Sequence, residues 1–427
     1  MMNDSNSLPP DDFSDVPLAT GDIKPKISAE DRVGIRYMRR VLSNVYNVVL
    51  DGTVVKPPYT GVQNSVQYEI AAELKALKWK ITAVLALTDS PLRDLTSDYH
   101  CLYFETRFAT GGVWRRILWQ QTMLPRLLKK IHADVFHAFA YTAPLRCPCP
   151  YVLNVHDIIA LEHPELCSTL NRWHMRMLLP PSARRAARII VSTKHVAERV
   201  HDVLQIPMKR IAVIPLGVDF QRFSRPLPLP SEYGMDRPYI LFVSNIEPKK
   251  DLGTLLDAYD DCANDLQADL VVVGRAAWKC AAVVERLKHW NGAGRVKWLD
   301  YVPDDVLPAL YQHAQLFVMP SICEGFGMPV LEAMAAGTPV LHSDYPALKE
   351  AAGGCGKEFM AGNAQSLAET MKRLWQSPQT LQEMSTAGKE YAGRQTWRRW
   401  GEDAASVLQE AMADRFTSAY PRRDRRG

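Results

Sequence analysis

Short runs of β-branched and aliphatic residues alternate with helix-patterned segments along almost the whole chain. The first run is Tyr46–Leu50. After a loop, Val62, Val66, Ile70 and Leu74 recur every four positions, the repeat that lines one face of a helix. Further strands are predicted at Ile81–Leu87, Asp134–Phe139, Tyr151–Val155, Arg188–Ser192 and Ile211–Ile214. Residues Asp219 to Asp236 break the rhythm with Pro226, Pro228, Pro230 and Gly234, and read as a linker. The alternation then resumes. Strands are predicted at Tyr239–Val243, Leu270–Val273, Val296–Leu299, Leu316–Met319 and Pro339–His342. Helices are predicted at Leu252–Tyr259, Val283–Trp290, Val306–His313, Pro329–Ala336 and Ala364–Trp375, with a last one over Trp397–Met412.

Such alternation implies parallel sheets covered by helices on both faces. Two such halves predict an α/β chain of two Rossmann-like, doubly wound domains. Their strand ends would face a central cleft, because ligands in these folds sit beyond the carboxyl ends of the strands. The expected division is a disordered leader at 1–30, a first domain at 31–220 and a linker at 221–236. A second domain follows at 237–396, then a final helix at 397–412 that crosses back to the first domain, and a basic tail at 413–427.

The chain has 427 residues, too many for one core, and its 47% hydrophobic and 23% charged content is that of an ordinary globular protein. A net charge of +4 gives no ground for a nucleic-acid partner. The eight cysteines include a Cys147-Pro-Cys149 pair, but no second pair follows at zinc-ligand spacing. Reduced, buried thiols and a cytoplasmic location are expected. The leader lacks the apolar stretch of a signal peptide, and no run reaches the roughly 20 apolar residues of a membrane-spanning helix.

The segment from Pro320 to Met334, Pro-Ser-Ile-Cys-Glu-Gly-Phe-Gly-Met-Pro-Val-Leu-Glu-Ala-Met, carries the most chemistry. A strand ends near Pro320 and a helix starts near Met328, with Pro329 in its first turn, where a missing N–H costs nothing. Gly325 and Gly327 let backbone approach a ligand closely. The free backbone N–H groups near Met328 to Val330, at the positive end of the helix, suit a diphosphate. Glu332, one turn in, can accept both hydroxyls of a ribose, and Glu324 on the loop can reach sugar hydroxyls.

Glu324 to Glu332 resembles the Glu-x7-Glu motif of the retaining, GT-B-fold glycosyltransferases of family 4. Ile214-Pro-Leu-Gly-Val-Asp219, Val243-Ser-Asn-Ile-Glu-Pro-Lys-Lys-Asp251 and Asn154-Val-His-Asp157 resemble the family's other signatures in order and spacing. The resemblance runs from about residue 46 to 412 and is closest to bacterial surface-polysaccharide mannosyltransferases. It implies that Lys250 and Lys249 hold the donor diphosphate. It also implies that Glu324 and the amides of Gly325, Phe326 and Gly327 hold the sugar, and that His156 lies near the anomeric centre. Lys250, Glu324 and His156 are the expected catalytic residues. Gly61 and Asn245 complete the donor site. Lys249 stands where many members carry arginine, so a two-pronged phosphate contact becomes a point charge. Ser244-Asn245 replaces the Gly-Arg of other members, and Thr60-Gly61 replaces two glycines.

The implied activity is retaining transfer of a hexose, best mannose from GDP-mannose, with neither metal nor cofactor, onto a glycan or polyprenol-linked acceptor. Donors carrying UDP or dTDP, and a non-catalytic nucleotide-sugar or glycan-binding homologue, are the alternatives. No Asp-x-Asp is present, as a metal-dependent transferase of the other common fold would show, and no Gly-x-Gly-x-x-Gly follows a first strand, as a nicotinamide enzyme requires. A glycoside hydrolase using Glu324 and Glu332 fits their place at a helix start less well than nucleotide binding does. Val113–Lys130 mixes Trp114, Trp119 and leucines with Arg115, Arg116, Arg126, Lys129 and Lys130. It reads first as a core-packed helix with a basic outer face, and second as a helix lying on the inner face of an anionic membrane.

Overall fold

The computed structural model describes residues 46–55, 61–77, 81–87, 90–97, 101–106, 113–292 and 294–419. The leader expected at 1–30 lies outside the described residues. The first sheet holds β1 (Asn47–Asp51), β2 (Ile81–Leu87), β3 (Cys101–Thr106), β4 (Val135–Ala138), β5 (Tyr151–Asn154), β6 (Arg188–Val191) and β7 (Ile211–Val213). Its order is β3-β2-β1-β4-β5-β6-β7, and the pairs are parallel, with Val49 opposite Phe136 and Leu153 opposite Ile189. The second holds β8 (Tyr239–Val243), β9 (Asp269–Val273), β10 (Val296–Trp298), β11 (Leu316–Met319), β12 (Val340–Ser343) and β13 (Lys357–Phe359). Its order is β10-β9-β8-β11-β12-β13, again parallel. The strand order therefore turns between β1 and β4 in one sheet and between β8 and β11 in the other. Crevices that bind ligands open at such points.

Eight helices shape the space between the sheets and the outer faces beside it: α1 (Gly61–Ala76), α2 (Val113–Lys130), α3 (Thr169–Arg185), α4 (Lys194–Leu204), α5 (Phe220–Ser224), α6 (Met328–Ala336), α7 (Pro346–Ala352) and α8 (Trp397–Ala419). The last runs beyond the Met412 that its sequence pattern predicts, into residues expected to be tail. It packs along α1, where a Cβ on Gly401 would collide with the carbonyl of Ala72. Trp397 stacks on Tyr68 with 5.3 Å between ring centres. One apolar core runs from Val48 and Leu50 through Trp400 and Leu408 to Val271 and Phe317, so α8 joins the interiors of both sheets.

Gly217 is required by a close approach, since a Cβ there would strike the backbone of Trp397. Beside it, Val218 N–H donates to the Gln395 carbonyl at 3.0 Å, so the two connections between the sheets run side by side. The predicted linker contains α5, capped where the Asp219 carboxylate accepts from Arg222 N–H at 3.2 Å. Phe223 of α5 is buried edge-on against Tyr311.

Candidate active site

A cleft of about 1400 Å³ separates the carboxyl ends of the two sheets. Of the thirteen positions singled out from sequence, twelve line it: Gly61, His156, Asn245, Lys249, Lys250, Glu324 to Pro329, and Glu332. Val330 does not. It is fully buried in the core, and its N–H donates to the Gly327 carbonyl at 2.9 Å. The first turn of α6 has consumed that amide and Pro329 has none, so of the donors expected from Met328 to Val330 only the Met328 N–H is left.

The loop after β11 is shaped by its glycines. Gly327 has a φ of +101° and caps α6, a conformation that L side chains resist. A Cβ on Gly325 would collide with the His156 carbonyl across the cleft. The Gly325 carbonyl accepts from Ser192 Oγ and Thr193 Oγ1, both at 3.1 Å. The loop that carries Glu324 is thus held by the first sheet's residues as well as by its own. Gly61 differs: space around its Cβ position is open, so nothing in the structure demands glycine there.

Glu324 is 7% exposed and accepts a hydrogen bond from Lys250 Nζ at 2.5 Å. Burial opposes its charge, but Lys250 and Lys249 prevail and hold its carboxyl below the usual range. Lys249 lies 3.6 Å from Glu247. Burial opposes the Lys249 ammonium too, and Asp157, Glu324 and Glu247 together lift its pKa above that of an ordinary lysine. The Lys249 cation is therefore secured at neutral pH. Burial raises Glu247, against the pull of both lysines.

His156 Nε2 donates to the Phe139 carbonyl at 2.8 Å, which leaves Nδ1 as the acceptor of the neutral ring. Burial depresses its pKa, so the ring is neutral near pH 7. Asp157 accepts from Tyr141 OH at 3.0 Å and from Ile159 N–H at 3.1 Å, and thereby fixes the turn after β5. Glu332 accepts from Tyr311 OH at 3.0 Å, and burial raises its carboxyl above the ordinary value, partly offset by Tyr311 and Arg222.

Several cleft residues escape a reading of the sequence. Arg222 comes from α5, inside the supposed linker, and donates to Tyr68 OH at 3.3 Å. The Asp219 cap ahead of it is the one local signal. Arg275 lies over the ring of Tyr301 at 4.3 Å. Its neighbour Gly274 has a φ of +153°, and a Cβ there would collide with the Ser244 carbonyl. Arg116 and His174 line the opposite wall, from α2 and α3. Among the described residues, no three His, Cys, Asp or Glu side chains are grouped to hold a metal ion.

Two sequence families meet in the chain: Glycosyltransferase Family 4 matches residues 60–222, and Glycosyl transferases group 1 matches residues 230–391. The chain belongs to the family 4 glycosyltransferases of GT-B fold. It is 30% identical to O-antigen chain mannosyltransferase B of Escherichia coli over 212 residues, which are 48% of this chain and 56% of that protein. It is 25% identical to MMP alpha-(1->4)-mannosyltransferase of Mycolicibacterium hassiacum over 283 residues, 62% of this chain and 66% of that one. The chain thus spans little more than half the length of the first relative and under two thirds of the second. Among solved structures, Anabaena HepE in complex with UDP and glucose superposes with a TM-score of 0.63 at 20% identity, covering 87% of this chain and all of that one.

Proposed function

We propose that the chain transfers a hexose, mannose from GDP-mannose, with retention of configuration and without a metal or cofactor, onto a glycan or polyprenol-linked acceptor of a surface polysaccharide. The observation that carries this reading is the pair of lysines, Lys249 and Lys250, lining the cleft with Glu324, which Lys250 contacts from the loop ahead of α6. A departing nucleoside diphosphate gains negative charge as the glycosidic bond breaks, and fixed cations with the Met328 N–H at the helix start stabilise it in place. Glu332 would hold the ribose, with Tyr311 orienting its carboxylate. Glu324 and the Gly325–Gly327 amides would hold sugar hydroxyls. Neutral His156 would accept from the sugar at Nδ1, and Asn245 and Gly61 would border the diphosphate. The acceptor's proton would pass to the leaving phosphate oxygen, so that no separate base is required.

The mannosyltransferase relatives favour a mannose donor. HepE, solved with UDP and glucose, keeps a UDP-hexose as the second reading. Calorimetry with GDP, UDP and dTDP in EDTA distinguishes them. GDP alone is expected to bind tightly, and binding of none would remove the nucleotide-sugar reading.

We place the protein at the cytoplasmic face of an anionic membrane. No helix of the described residues is long and apolar enough to cross one, so the contact would be peripheral. α2 has both a core face and an unpartnered one: Trp119, Leu124 and Leu128 are buried, whereas Trp114, Leu118 and Met123 are exposed. α3 repeats the pattern with Leu170, Trp173 and Met177 exposed. Neither helix carries an acidic residue, and both end in paired basic ones, Lys129-Lys130 and Arg184-Arg185. Exposed tryptophans among cations suit the headgroup region of anionic lipid.

A further inference from the structure

The first-sheet wall of the cleft contains a cation without a partner among the described residues. Arg116 of α2 lines the cleft and is partly buried, yet it makes no hydrogen bond or ion pair among the described residues. The nearest compensating charge is Asp51 at the end of β1, which acts on it only through space. One oxygen of that carboxylate, Oδ1, is already engaged: it accepts from Thr53 N–H at 3.0 Å and from Thr53 Oγ1 at 2.6 Å. A desolvated guanidinium normally has its planar fork of donors satisfied, and carboxylate and phosphate oxygens fit that fork best.

A second group on the same wall is also unsatisfied. His174 of α3 is 8% exposed and borders the cleft, and its Nε2 has no hydrogen-bond partner. Burial first and the Arg116 charge second push its pKa down to about 4, so at neutral pH the ring is uncharged. An uncharged ring can still donate one N–H, and an anion placed between the two groups would both accept it and neutralise Arg116. Lysines 249 and 250 stand on the opposite sheet, already paired with Glu247 and Glu324. They serve the donor, and Arg116 is left for something else.

We propose that Arg116 and His174 form an oxyanion subsite on the acceptor side of the cleft, which recognises a phosphate ester or carboxylate carried by the acceptor. This rests on the transferase reading, and adds that the acceptor is anionic close to the hydroxyl that receives the sugar. The exposed apolar face reaches the cleft at Leu170, which is exposed and also lines the cleft beside His174. An acceptor whose phosphate joins a sugar to a lipid would reach Arg116 from that face. A soluble sugar phosphate or a uronate would enter from the cleft mouth.

The test uses the full chain with its donor site saturated by the nucleoside diphosphate that calorimetry selects, so that added anions cannot occupy Lys249 and Lys250. It is titrated with α-D-mannose 1-phosphate, D-glucuronic acid and uncharged methyl α-D-mannoside. At least one anionic sugar is expected to bind about tenfold or more tightly than the methyl glycoside, a margin typical of a charge-assisted contact. Which one does so separates phosphate from carboxylate. Mannose 1-phosphate linked to a polyprenol in neutral vesicles then separates a lipid-borne source from a soluble one. Arg116→Gln is expected to erase the preference, and His174→Phe to reduce it. Equal binding of all three sugars, or an unchanged preference in Arg116→Gln, would overturn the subsite. Should Arg116→Gln lose its thermal transition, Arg116→Met keeps the aliphatic stem and removes the charge, and an unchanged preference there overturns it equally. Failure of the wild-type chain to bind any nucleoside diphosphate would instead defeat the transferase reading on which the subsite depends.

Discussion

Lys250 is the residue on which the proposed chemistry depends most. Its ammonium reaches Glu324 at 2.5 Å, and Lys249 lies beside it among three carboxylates. Lys250→Ala is expected to lower turnover by about 10²–10³-fold, the usual loss when one electrostatic stabiliser of a transition state is removed. Steady-state kinetics with melting curves measures it, and near-normal kcat in a folded variant would contradict the assignment. Lys250, Glu324 and Glu332 are legible in the sequence because each lies close to a glycine or proline that marks a strand end or helix start. Val330 is misjudged because spacing alone does not tell which N–H groups a first turn consumes. Arg222, Arg275 and His174 are missed for a different reason: each reaches the cleft from an element with no strong local signature. Arg116 is legible only as part of a basic helix face, and only the fold brings it with the others to the cleft.

At the scale of elements, the alternating pattern reveals most strands because parallel strands buried on both faces are runs of apolar residues. β3 and β13 escape it. Both are edge strands: Leu102 and Glu105 of β3 are exposed, and only Phe359 of β13 is buried. α2 is half legible. Its basic character can be read, but which of its apolar residues pack inward cannot, since that depends on where β4 and α3 lie. Its outer face with that of α3 carries the membrane prediction. Trp114→Ser with Trp173→Ser is expected to abolish co-flotation with vesicles containing phosphatidylglycerol, while the protein still melts cooperatively. Undiminished flotation would remove these two helices from any membrane contact.

At the scale of the molecule, α8 and the paired connections at Gly217 and Gln395 join two sheets whose switch points open on one cleft. Polar contacts cross that cleft. Gly325 meets Ser192 and Thr193, and the Glu350 carboxylate of α7 accepts from the backbone N–H groups of Lys194 and His195 at 2.7 and 2.8 Å, at the start of α4. These bonds align the loop that carries Glu324 with His156, so that both sheets would contribute to the proposed reaction centre. The most direct test of that claim is the product itself. The purified chain is given GDP-α-D-mannose and a polysaccharide-type acceptor in EDTA, and the new linkage is read by proton NMR. The account predicts an α-mannosidic product formed without added metal. A β-linked product, or turnover that appears only when a divalent cation is supplied, would contradict it.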